Sequence, residues 1–170
     1  MMNTWTNRPI KLFQGLFLAC LTVVTWSACA VQHVNTQKNM HDLQVTLGSV
    51  TGSPKVGAPI ELSFSVANAQ EKAQKFCQYM TPFEGFNGDI MGVMDAKGNK
   101  IAYQGINRKC GAPTAADDIP VGPGETRSVT FDLQEAYPIS QPGNYTVQFK
   151  GSEYLNRLPD SNVLKLVVGR

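Results

Sequence analysis

The chain has 170 residues, enough for one domain with a respectable core, and 15 Lys and Arg against 13 Asp and Glu. Setting aside Arg8 and Lys11, which belong to an N-terminal export segment, leaves 13 basic residues facing 13 acidic ones. This neutral balance, without a basic cluster, excludes a nucleic-acid-binding surface.

Arg8 and Lys11 precede an apolar run, LFQGLFLACLTVVTW, at residues 12–26. The run is shorter than the about 20 residues a membrane span needs. Small residues follow directly: Ser27, Ala28, Cys29 and Ala30. Basic, apolar, then small is the order of a secretory signal. Two processing readings are open. Ser27-Ala28-Cys29 is similar to a bacterial lipobox, with Cys29 as the lipidated first residue of the mature chain. Ala28-Cys29-Ala30 also fits an Ala-x-Ala site cut after Ala30. The expected organisation is a signal region at 1–29, a polar flexible tether at 30–42, and one domain at 43–170. The expected location is the bacterial cell envelope, periplasm or outer membrane, with a lipid anchor to the membrane.

Of four cysteines, Cys20 lies inside the signal and Cys29 is lipidated or removed. Cys77 and Cys110 remain, an even pair in an oxidising compartment, and a disulfide between them is expected.

Alternation of apolar and polar residues dominates the rest, so the domain is expected to be all-β. Strands are expected at 43–50, 59–68, 73–80, 89–95, 100–105, 126–133, 144–150 and 163–168. In the second, Ile60, Leu62, Phe64 and Val66 share one face. Ala96-Lys97-Gly98-Asn99 reads as a hairpin turn joining the fourth strand to the fifth. Seven or eight short strands with regular turn signals point to an Ig-like antiparallel β-sandwich. If successive strands alternate in direction, the connections 51–58, 81–88, 106–125 and 151–162 gather at one end. Several long loops on a rigid sandwich form a binding architecture.

No catalytic residues, metal ligands or cofactor site are expected. The two histidines, His33 and His41, lie in the tether, and neither HExxH nor Gly-x-Ser-x-Gly occurs. Met91 and Met94, three apart on a strand, point to opposite faces and cannot share a metal; Met80, Met91 and Met94 read as core. Within the loop cluster, Phe83 and Phe86 are candidate partner anchors or a satellite core. Thr81, Pro82 and Glu84 surround them, and Asn107, Arg108 and Lys109 lie in a neighbouring loop.

TPFEGFNGDIMGV, GNKIAYQGINRKCGAPTAADDIPVGPGET and YPISQPGNYTVQFKG together resemble the N-terminal propeptide domain of deuterolysin-type (aspzincin) zinc metallopeptidases. The resemblance spans about residues 43–168 and is most specific around 81–113. It rests on Thr81-Pro82, Glu84-Gly85, Asp89-Ile90, Tyr103, Gly105, Lys109 and Ala112-Pro113. The Pro123-Gly124-Glu125 and Gly143-x-Tyr145 parts occur in many Ig-like domains. The resemblance implies a β-rich domain that keeps a peptidase latent. Because the chain stops at Arg170 and lacks a zinc-ligand motif, the expectation is a docking module acting in trans as inhibitor or folding assistant. The alternative is an envelope lipoprotein with a structural or surface-binding role.

Overall fold

The computed structural model describes residues 42–109 and 111–170. The signal region, the tether up to His41, the lipidation position Cys29 and the cysteine at 110 lie outside the described residues. Among the described residues there are eight strands: β1 (Leu43–Ser49), β2 (Glu61–Asn68), β3 (Gln74–Cys77), β4 (Met91–Asp95), β5 (Asp118–Val121), β6 (Thr126–Asp132), β7 (Gly143–Phe149) and β8 (Leu164–Val168). They form an all-β, Ig-like antiparallel sandwich. One sheet has the order β1-β2-β6 and the other β4-β7-β8, with β3 and β5 as a two-stranded ribbon. Every pair is antiparallel.

The period-2 pattern places the core. Leu43, Val45 and Leu47 of β1 and Leu62, Phe64 and Val66 of β2 are buried from one sheet. Met91, Val93, Tyr145, Val147, Phe149, Leu166 and Val168 are buried from the other. The layers meet where Phe64 and Phe149 pack edge to face with ring centroids 4.8 Å apart. Full burial of such a side chain contributes about 1.5–3 kcal/mol. A fully buried Tyr137, just beyond the 3-10 turn Leu133–Glu135, ties the layers by hydrogen bonds. Its hydroxyl accepts from Met91 N at 2.9 Å and donates to Asp89 Oδ1 at 2.7 Å. Burial and the neighbouring Asp89 carboxylate both push its phenol well above the usual value.

The hairpin turn after β4 forms as expected. Gly98 takes a φ of 82°, and Asp95 accepts from the backbones of Lys97 and Asn99. The strand expected at 100–105 does not form. After one bridge, Met94 to Lys100, the chain leaves β4 and Gln104 N bonds Ala136 O instead. The Met91 amide on that edge is already taken by Tyr137. A strand not expected from the sequence, β5, pairs β3 in a stretch the sequence reads as loop. Met91 is core and Met80 packs against it, but Met94 is 45% exposed on the opposite face of β4, correcting its expected core role.

The loop grouping also needs correction. Connections 81–88, 106–117 and 151–158 converge, but 51–58 does not join them. Val56 to Pro59 line a hollow with Asp132, Gln134 and Pro138 to Ser140. The end of the 106–125 connection turns back on Asn68, which accepts from Gly124 N and donates to Glu125 O through its backbone. Strand parity misassigns these loops because β3 and β5 form a four-residue ribbon outside both larger sheets.

Candidate partner-binding surface

The surface is built around residues 78–87. Thr81 Oγ1 donates to Gln78 O at 2.6 Å and accepts from Phe83 N, closing a tight turn. Gly85 has a φ of 81° and completes the reversal. Two other loops brace this one. From one side, Tyr103 Oη shares its proton between Phe86 O at 3.1 Å and Ile106 O at 2.7 Å, and Arg108 N donates to Asn87 O. Burial, then the nearby Asp89 charge, raises the Tyr103 phenol above its usual value.

From the other side comes the loop between β7 and β8. Its Asn156 is fully buried. The side chain donates to Met80 O and accepts from Ser152 N at 3.0 Å and Leu158 N at 3.1 Å, while Asn156 O accepts from Cys77 N. Arg157 reaches Asp118, which also holds Lys75 at 2.6 Å. The Lys75 hydrogen bond and the Arg157 pairing, acting against partial burial, keep the Asp118 carboxyl below the usual carboxylate range. Two non-glycine residues among those described have positive φ, Met80 at 54° and Arg157 at 59°, and both belong to this braced region. Such backbone persists only where the surroundings over-determine it.

This arrangement redistributes the roles expected from the sequence. Thr81 and Pro82 are buried and shape the loop from within; they are not available as contacts. Phe83 packs its ring on Phe64 and Phe76, and Phe86 on Phe131 and Tyr137. Both phenylalanines are half-buried and packed against the core, as a satellite core would be, and each stays partly accessible. Glu84 is half-buried, its carboxylate near Met80 N at 3.3 Å. Asn107, Arg108 and Lys109 are exposed.

The exposed apolar side chains here are ones sequence reasoning passed over: Ile106 at 63%, Tyr154 at 90% and Leu155 at 42%. They flank the 78–87 loop from its two braces. The signal for Tyr154 was a bulky aromatic inside a polar stretch, GSEYLNR, with no alternation to pair it. Cys77 is buried, and its expected disulfide partner at 110 lies outside the described residues. Among the described residues there is no group of three or more metal-ligating side chains.

No protein-family model and no curated protein matches this sequence. Among solved structures, crystal structures of a β-glucosidase from Listeria innocua in complex with isofagomine and with gluconolactone are similar in part. Their TM-scores are 0.38 and 0.37 and their identities 14% and 12%. Each comparison covers 75% of this chain and 16% of the β-glucosidase chain, so this chain spans a small part of those proteins. Similarities this slight do not bear on activity.

Proposed function

We propose that this protein is an exported, non-catalytic binding module that engages a deuterolysin-type zinc peptidase in trans, as inhibitor or folding assistant. The reading is supported chiefly by one observation: a braced loop end that exposes Ile106, Tyr154 and Leu155 beside Arg108 and Lys109. Rigid aromatic anchors bind with little entropic cost, and basic side chains at a rim speed encounter with an acidic cleft. The resemblance to peptidase propeptides is most specific over 81–113, which carries Ile106, Arg108 and Lys109; Tyr154 and Leu155 come from the loop between β7 and β8.

The test is a titration of a mature deuterolysin-type peptidase, shown to be active, with the exported protein. Inhibition that saturates supports the reading. No binding and no inhibition at about tens of micromolar moves the assignment to an envelope lipoprotein with a structural role. Anchoring at Cys29 is checked separately by acyl labelling of the wild type and of Cys29→Ser.

A further inference from the structure

The two larger sheets have four outer edges, and three carry hydrogen-bond partners at one or two positions in the strand or just past its end. On β1, Leu47 N donates to Asn162 Oδ1 at 2.8 Å and Leu47 O accepts from Asn162 Nδ2 at 3.1 Å, so a side-chain amide stands where a strand would. On β4, Tyr137 Oη takes the Met91 amide and Ile101 N takes the Val93 carbonyl. Beyond β8, Gly169 exchanges backbone bonds with Pro54 and Val56. Natural sandwiches protect edges in such ways because an open ladder templates strand addition.

β6 is different. The bonds flanking its ladder to β2, Asn68 N to Glu125 O and Leu133 N to Ile60 O, turn its odd-numbered residues toward β2. The N–H and C=O groups of Thr126, Ser128 and Thr130 therefore face outward, and no backbone partner on that side occurs among the described residues. These three side chains are exposed. The strand contains no Pro or Lys, and Arg127 is drawn aside to Glu125 and Pro120 O.

We propose that this edge is a strand-addition site whose occupant is β6 of a second copy, antiparallel about Ser128, joining two three-stranded sheets into one of six strands. The outward-bonding residues carry the choice of occupant: Thr126, Ser128 and Thr130 read the same in both directions, as a two-fold axis requires. In this register Thr126 lies opposite the second copy's Thr130, and Ser128 opposite itself. Arg127 then faces Val129 of the second copy. Moving the axis to Arg127 would oppose two guanidinium groups, an unfavourable cross-strand pair. One added strand buries less than a standard stable interface, so the dimer is weak and concentration-dependent.

The test is sedimentation equilibrium of the exported protein over roughly 10 µM to 1 mM. The wild type should move from monomer to dimer across that range. Ser128→Lys and Ser128→Glu each place like charges opposite one another and should weaken the dimer by about tenfold or more, with thermal stability near wild type because the site is exposed and only the surface hydroxyl bond to Ser65 is lost. An equimolar mixture of the two variants should restore dimerisation, which a general surface effect would not do. A wild type that stays monomeric throughout overturns the assignment. So does a dimer that both variants retain, or a mixture that shows no rescue.

Discussion

Asn156 holds the candidate surface together, and its replacement by Ala gives the sharpest structural test. The side chain is fully buried and makes three bonds, to Met80 O, from Ser152 N and from Leu158 N. Truncation removes all three partners' complements at once. A buried backbone group left unpaired costs about 1–3 kcal/mol. Leu158 is almost wholly buried and bears this in full. Ser152 is half-buried and can recruit water, and the Met80 bond is long at 3.2 Å, so each adds less. The expected loss is about 2–4 kcal/mol, or a fall in Tm of about 8–15 °C for a domain of this size. The assay is urea unfolding of wild type and Asn156→Ala, with hydrogen exchange to locate the effect. Protection should fall first at 78–81 and 152–158, where the strained Met80 and Arg157 lie. A loss under about 0.5 kcal/mol, or one spread evenly over the sheets, would refute the bracing argument.

Three further outcomes are expected. Tyr137→Phe orphans the buried Met91 amide and should cost about 1–3 kcal/mol in urea unfolding. Partial burial pushes the Asp89 carboxyl up, but its bonds from Lys100 and Tyr137 outweigh this and hold it below the usual range. Its stabilising contribution is thus present above about pH 4 and is lost as pH falls through the lowered value; the variant's acid limb should be shallower. Gly151→Ala sets a Cβ against Leu158 O and the Pro159 backbone, none of which can rotate away, so about 3 kcal/mol of destabilisation should appear as a lower Tm. The expected Cys77–Cys110 disulfide predicts an intact mass two hydrogens light and no alkylation when the protein is denatured without reductant; modification of both cysteines contradicts it.

The strands were legible where alternation is clean. In β2, Leu62, Phe64 and Val66 state their own buried face, and β7 does so through Tyr145, Val147 and Phe149. What failed was partnership. Residues 100–105 have strand-like composition, but the Tyr137 hydroxyl, from a distant turn, occupies the ladder position they would need. β5 is four residues with a proline at Pro120, too short to announce a period. The candidate surface was half legible. Its expected location at 81–88 and 106–109 rested on strand parity, which brings these two loops together but wrongly adds 51–58 to them, and on the resemblance. Which side chains face outward did not, because Phe83 and Phe86 read as loop aromatics until Phe64, Phe76, Phe131 and Tyr137 are seen beneath them. Tyr154 became visible only once Asn156 and Arg157 fixed the loop that carries it.

The affinity of the protein for a mature deuterolysin-type peptidase tests that outward surface most directly. Titration calorimetry should give a saturable complex with the wild type. Tyr154→Ala should weaken it by about 1–3 kcal/mol, as for an interface anchor. Lys109→Ala should act mainly on association rate and salt dependence. Lys97→Ala, in the turn after β4 and outside the braced loops, should leave the affinity unchanged. A complex as sensitive to Lys97 as to Tyr154, or no complex with an active peptidase, would contradict the account.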